Sequence, residues 1–289
     1  MPTFPDPDPE VLQDRADRPV LRVGDRVRHP SQPWSASVQA LLSHLRTRGF
    51  TEAPRPYGVT AGGDEVEFIP GVGGDAACRL VDSDSAVAAV GELLRRYHDA
   101  VAGWRPSEPV SWFDGSTGAG TATRGRSVER EGSQERKGSA DGEGAAETLV
   151  CHGDVGPWNL VWRDGRIVGL IDWEHAHVGT RTSDIAYALH YLAPIRDRSY
   201  WQGVLGLDRR PRRRHRMRVF AEAYGIALDD ALVEQVMTSQ EAGVDLMRSL
   251  AERGDPRRLQ LVADGELDRE QRAVAWARAR RAKFLPRRR

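Results

Sequence analysis

The sequence predicts an α+β fold in two parts, a small β-rich front and a larger, mainly helical back. Three observations predict it. Short apolar runs broken by glycine turns fill residues 19–69, as hairpins require. Apolar residues recur at helical spacing through most of the chain beyond residue 182. Between these regions, Asp164-Gly165 separates two β-prone runs, the strongest short-range hairpin signal a sequence offers.

Residues 1–18 read as a disordered arm: Pro2, Pro5, Pro7 and Pro9 alternate with acids and no apolar period is present. Val20, Leu21, Val23 and Val27, interrupted at Gly24-Asp25, form a short hairpin. Trp34 to Phe50 is helical, with Val38, Leu41, Leu42 and Leu45 on one face and Gly49 at its end. Tyr57-Gly58-Val59 and Glu65 to Ile69 are strands around a Gly62-Gly63-Asp64 turn, and Pro70-Gly71 closes them. A reduced front lobe therefore spans 19–70, and a helical lobe spans 71–289. The latter opens with a helix from Ser85 to Val101, capped by Asp82, Ser83 or Asp84. On that helix His98 reads as a packing or hydrogen-bonding residue rather than a ligand. Residues 115–147, rich in Gly, Ser, Thr and mixed charge, lack the apolar residues of a core and read as a flexible insertion. After the central hairpin, Thr182-Ser183-Asp184 caps a helix carrying Ile185, Ala188, Leu189 and Leu192. Amphipathic helices near 213–225, 229–252 and 266–284 complete the lobe.

Composition narrows the function classes. The 42 basic and 42 acidic side chains cancel, so no global field favours nucleic acid or a membrane surface. Cys78 and Cys151 form no disulfide framework, which suits a reducing cytoplasm. No apolar run approaches the roughly 18 residues a spanning helix needs, and the Pro- and Asp-rich start has no signal-peptide core. A soluble cytoplasmic protein is the expectation.

Chemistry concentrates around the hairpin. With a two-residue loop, Arg163 faces Arg166, Val161 faces Val168 and Asn159 faces Leu170. Asp172 then lies on the same face as Asn159, about 7–8 Å away diagonally, so their oxygens can share a small cation. Asp154, in the Gly/Pro loop before the hairpin, arrives at the same end. Such a set suits phosphoryl transfer, which needs a carboxylate to receive the acceptor's proton and Mg²⁺ to neutralise phosphate charge. Magnesium needs few protein oxygens, so one Asn and one Asp suffice.

The order His152-Gly153-Asp154, four residues, Asn159, then Ile171-Asp172-Trp173-Glu174 resembles the aminoglycoside phosphotransferase and choline kinase-like family. The resemblance implies a protein-kinase-like, two-lobed fold with a reduced β-rich N-lobe and a mainly helical C-lobe. It implies Asp154 as the catalytic base, Asn159 and Asp172 as ligands of Mg²⁺, and ATP or GTP as phosphoryl donor. It also implies that Asp184 supports the catalytic loop while His152 braces it, and that the nucleobase lies against Glu67-Phe68-Ile69, with Glu67 and Ile69 contributing backbone hydrogen bonds. The front lobe departs from the family. Residues 1–20 contain no glycine for a phosphate loop, and Ser35 to Arg48 contains no glutamate for the ion pair. Where a strand lysine belongs, in Asp25 to His29, the cations are arginines, so Arg28 is the expected phosphate contact and Arg22 a second.

The expected function is a small-molecule kinase acting on a hydroxyl of an aminoglycoside-like or other metabolite. A polycationic acceptor would meet Asp229, Asp230, Glu234, Glu241, Asp245 and Glu252, although the basic run Arg209 to Arg218 opposes it. A choline-type acceptor would draw on Trp173, Trp201 and Tyr191. Two other classes compete. One is a pseudokinase or binding module that has lost its nucleotide clamp. The other is a metal-dependent hydrolase built on His152, Asp154, Asp172, Glu174, His175 and His177.

Overall fold

A computed structural model describes residues 8–14, 19–118 and 148–286. The expected flexible insertion lies outside the described residues from 119 to 147, as do residues 1–7 and 15–18 of the expected arm. The front sheet is built from β1 (Glu10–Gln13), β2 (Val20–Val23), β3 (Arg26–His29), β4 (Pro56–Thr60) and β5 (Gly63–Glu67), in the order β1-β2-β3-β5-β4. Strand β1 corrects the reading of residues 1–18 as an arm. It pairs with β2 through Glu10↔Arg22 and Val11↔Leu21, yet all four of its residues are exposed. Backbone hydrogen bonding recruits this edge strand, and hydrogen bonding leaves no apolar period to read. The β4–β5 turn sits one residue earlier than expected. Gly63, at φ +135, already pairs in β5, where a Cβ would stand 2.3 Å from the His29 carbonyl oxygen. Only glycine fits there.

Helix α1 (Ser35–Thr47) packs Leu41, Leu42 and Leu45 into the core with no exposure. Its Gln39 bridges to the sheet: the amide donates to Asp64 Oδ1 and the Glu65 carbonyl, and accepts from Gly58 N–H. The link to the back lobe runs through Val72, which exchanges two backbone hydrogen bonds with Trp162 (2.8 and 2.9 Å). A short α2 (Gly74–Ala77) follows, then α3 (Asp84–Val101), whose Ser83 cap accepts from Ala86 N–H.

Strand β6 (Thr148–Cys151), the hairpin β7 (Leu160–Arg163) and β8 (Arg166–Leu170), and β9 (His177–Thr180) form two small sheets, β6-β9 and β7-β8. The β6–β9 pair was invisible in sequence because each strand is four residues long and its partner is distant. In the hairpin, Asp164 (φ 51) and Gly165 (φ 73) make the expected two-residue turn, with Arg163 opposite Arg166. Beyond it the register departs from strict alternation. A bulge leaves Val161 opposite Gly169 and Leu160 opposite Leu170. Asn159 therefore leaves the strand for a 3₁₀ turn, Pro157–Asn159, and pairs its carbonyl with Ile171 N–H rather than facing Leu170.

Helices α4 (Arg181–Leu192), α5 (Arg198–Gly203), α6 (Arg213–Tyr224), α7 (Asp230–Glu252), α8 (Pro256–Ala263) and α9 (Glu266–Arg278) complete the lobe. Thr180 caps α4 in a box with Ser183, so the cap lies ahead of the expected Thr182-Ser183-Asp184 and Asp184 falls in the first turn. At the α3–α6 crossing, Gly91 lets the helices meet, since a Cβ would come within 2.7 Å of the Phe220 carbonyl oxygen. Among the described residues, no helix is long and apolar enough to cross a membrane.

Candidate active site

The loop after β6 is held from below by one carboxylate. Asp184, 1% exposed, accepts from His152 N–H (2.7 Å), Gly153 N–H (2.9 Å) and His98 Nε2 (3.2 Å). Burial pushes its carboxyl pKa up, but the His98 hydrogen bond and the charge and amide interactions around it outweigh burial and hold it below the usual range. His98 is itself fixed by the Tyr224 hydroxyl at 2.7 Å. His152 is fully buried, hydrogen-bonded through Nε2 to the Ile171 carbonyl (3.1 Å), with Nδ1 accepting from Asp154 N–H (3.2 Å). Burial lowers its pKa, so a neutral ring with the proton on Nε2 satisfies both bonds. Gly153 at φ +81 makes the bend possible, because a Cβ there would lie 2.2 Å from the His175 carbonyl oxygen.

The bend presents Asp154 with both oxygens engaged. Asn159 Nδ2 donates to Oδ2 and to the Asp154 carbonyl, each at 2.8 Å. The Tyr187 hydroxyl donates to Oδ1. Burial, then neighbouring Tyr191 and Asp154, keep the Tyr187 phenol well above its ordinary pKa and hence protonated. Sequence reasoning missed Tyr187. The available signal was its position three residues after Asp184 on α4, which puts both on the helix side facing the loop. His175 Nδ1 lies 3.9 Å from Asp154 Oδ2, too far for a hydrogen bond, and burial depresses its pKa.

Asp172 follows β8 in a left-handed conformation, φ 64 and ψ 66. Few non-glycine residues adopt it, and such outliers concentrate at functional sites. Asp154, Asn159 and Asp172 line one cavity of about 1070 Å³, at the upper end of the range for ligand sites. Because the Asn159 amide nitrogen is committed to Asp154, its oxygen is the end left to accept a cation. An amide oxygen and a carboxylate fit the hard-oxygen preference of Mg²⁺, so the residues present suit that ion. The competing transition-metal reading does not survive. Among the described residues, no group of three or more His, Cys, Asp or Glu side chains is placed to hold a metal. His152 is sealed beneath the loop, and His177 Nδ1 is turned to the His175 carbonyl.

At the front of the cavity the two expected phosphate contacts lie elsewhere. Arg28 pairs with buried Glu65 at 2.8 Å, and Arg26 pairs with the same carboxylate at 2.9 Å. Arg22 sits 3.8 Å over the Phe68 ring and bonds Glu10 and the Gly24 carbonyl. Neither Arg22 nor Arg28 lines the cavity. Strand alternation explains it: Val27 and His29 of β3 face the cavity, which puts Arg26 and Arg28 on the other face. No lysine occurs in residues 1–136, and His29 occupies the inward strand position. Glu67, Phe68 and Ile69 do line the cavity, although the Glu67 N–H is already bonded to the Arg55 carbonyl at 2.8 Å.

The far wall comes from α4, α7, α8 and α9 with the loop after α4, and includes Tyr187, Tyr191, Arg196, Gln240, Arg257 and Arg258. None of the six acids expected to serve a polycation lines it. Glu234 and Glu241 bind Arg278, Glu234 also binds Arg281, Asp245 binds Arg248, and Asp229 caps α7. Of the expected aromatic cage, Trp173 and Tyr191 line the cavity, whereas Trp201 packs in a separate cluster with Leu205 and Leu207. Both cysteines are buried, and burial pushes the Cys78 thiol up to about 11 and the Cys151 thiol well above its ordinary value, which disfavours the nucleophilic thiolate at both.

Comparison with known proteins gives consistent findings. The sequence model of a family described as the phosphotransferase enzyme family matches residues 11–220. A trifolitoxin immunity protein from Rhizobium leguminosarum bv. trifolii is 33% identical over 208 residues, covering 72% of this chain and 70% of that protein. The GDP complex of aminoglycoside 2'-phosphotransferase-IIIa superposes with a TM-score of 0.56 at 13% identity, covering 93% of both chains. An amicoumacin kinase solved with AMP-PNP and Ca²⁺ gives 0.55 at 14% identity, covering 92% of this chain and 87% of its own. At such identities the structures establish the fold, a two-lobed kinase-like α+β architecture.

Proposed function

This chain belongs to the phosphotransferase enzyme family, and on that premise we propose that it is a small-molecule kinase moving the γ-phosphate of ATP or GTP to an acceptor hydroxyl. One observation carries the reading: Asp154, Asn159 and Asp172 line the same cavity, with the Asp154 carboxylate oriented by Asn159 and Tyr187. Asp154 orients the acceptor hydroxyl and takes its proton. Asn159 and Asp172 would hold Mg²⁺, which when bound neutralises charge on the donor phosphates. Asp184 and His152 hold the loop so that Asp154 needs no reorganisation, and most of the rate comes from such positioning. Glu67 to Ile69 and His29 form the wall against which the nucleotide lies. The donor is a cytoplasmic metabolite, so the cytoplasm is the proposed compartment. A relative named for immunity to trifolitoxin supports a toxin as the class of acceptor, modified for self-protection.

A second reading, binding without transfer, is favoured by the front lobe, where Glu65 holds Arg28 and no lysine among the described residues lines the cavity. Thermal shift with Mg-ATP and Mg-GTP, followed by a nucleotide-consumption screen over hydroxyl-bearing compounds, separates the two. Kinase action requires stabilisation by at least one nucleotide and turnover that drops about 10²–10⁴-fold in Asp154→Asn. Equal consumption by wild type and variant would remove Asp154 from the mechanism, and stabilisation without turnover would favour the binding module.

A further inference from the structure

We propose that the acceptor carries an anionic group beside its reacting hydroxyl, and that Arg257 and Arg258 receive it; this rests on the kinase reading above. Both residues stand in the first turn of α8, both are half-buried, and both line the cavity. Neither side chain forms an ion pair or hydrogen bond with another described residue. Their neighbours behave differently: Arg196 is neutralised by Glu270, Arg269 by Glu266, and Arg278 by Glu234 and Glu241. Two adjacent guanidiniums partly withdrawn from water repel each other. Burial and then Arg257 hold the Arg258 pKa below its ordinary value, despite the opposing pull of Asp255 and Glu174. A bound anion relieves that repulsion, and the planar guanidinium matches a carboxylate or another oxyanion bidentately.

Placement assigns the pair to the acceptor side. The charge of Arg258 acts on Glu174 and Tyr187, and both arginines act on His175. Tyr187, which donates to Asp154, lines the same cavity as the two guanidiniums, together with Glu174 and His175 from the turn after Asp172. None of the six acids from 229 to 252 that a polycation would need lines the cavity, and the two acids of α9 that do are already paired, Glu270 with Arg196 and Glu266 with Arg269. The helical wall is thus shaped for a hydroxyl compound bearing negative charge rather than for a cationic one.

The test uses the full chain with Mg-ATP and Mg-GTP and a panel of hydroxy acids, each against its own amide: N-acetylserine, N-acetylthreonine, gluconate and shikimate, with kanamycin as the cationic comparison. Thermal shift and nucleotide consumption are read for wild type, R257Q/R258Q and the charge-conserving R257K/R258K. At least one acid should bind about tenfold or more tightly than its amide, the scale of one charge-assisted hydrogen bond. R257Q/R258Q should lose that preference and R257K/R258K should retain most of it. Equal response to acid and amide, preference kept in R257Q/R258Q, kanamycin as the preferred compound, or no response to any acid would each overturn the proposal. A rise confined to the nucleotide KM in R257Q/R258Q would also overturn it, by assigning the arginines to the donor. Failure of the kinase reading looks different: neither nucleotide stabilises the wild-type chain.

Discussion

Replacing Asp184 by Ala should unfasten the catalytic loop and much of the back lobe's stability together. The carboxylate accepts from His152 N–H at 2.7 Å, Gly153 N–H at 2.9 Å and His98 Nε2 at 3.2 Å, in a position 1% exposed. Truncation leaves three buried donors without an acceptor, each costing roughly 1–3 kcal/mol. Water admitted to the vacated space recovers part of that, which brings the expected loss to about 3–5 kcal/mol. For a chain of this size the fall in Tm is about 10 °C. Asp184→Asn keeps the volume and one accepting oxygen but turns an NH₂ toward a second donor, so its loss should be intermediate, about 1–3 kcal/mol. Urea denaturation at pH 7.5, with the slope unchanged, reads both. A loss below about 1 kcal/mol for Ala, or an Asn variant as stable as wild type, would refute the claim that this carboxylate holds the loop. The pH dependence gives a second check. The folded-state pKa lies below the unfolded value of about 3.9, so the contribution is complete above that value and disappears as pH falls through the depressed one. The gap between wild type and Asp184→Asn should therefore close in acid.

Tyr187→Phe removes a donor from Asp154 and should lower kcat about tenfold, the scale of one hydrogen bond to a charged group, with the nucleotide KM unmoved; steady-state kinetics with any accepted substrate decides it. Gly91→Ala should destabilise by about 1–3 kcal/mol through overpacking at the α3–α6 crossing, and a calorimetric Tm equal to wild type would contradict the 2.7 Å approach to Phe220. His152, His175 and His190 are all held below their ordinary pKa, first by burial. The folded chain then binds fewer protons than the unfolded one, so stability is complete above about pH 6.5 and declines as pH falls below it. Urea midpoints at pH 5.5 and 7.5 should differ in that direction, and equal midpoints would rule it out.

The back lobe was legible because its chemistry is local. Asp154, Asn159 and Asp172 belong to one loop and one hairpin, and Asp164-Gly165 announces the turn that joins them. The bulge at Val168 was not legible, since strict alternation is the only register a pattern can supply. The front lobe misled for a related reason. Arg28 follows Val27 in sequence, but which face of β3 meets the cavity depends on where β5 and α1 pack, and that placement turned Arg28 to Glu65 and His29 inward. Tyr187, Arg257 and Arg258 escaped notice because their meaning comes from elements far apart in sequence meeting at one wall. Strand β1 escaped because it buries nothing.

The two hydrogen bonds between Val72 and Trp162 bear on how the two lobes can move. They stitch the segment joining the lobes to the hairpin that carries the site, and the Leu170 N–H adds a third stitch to the Glu52 carbonyl at 2.8 Å. Glu52 belongs to the front lobe and Leu170 lies two residues before Asp172, so opening the cavity at that corner begins by breaking this bond.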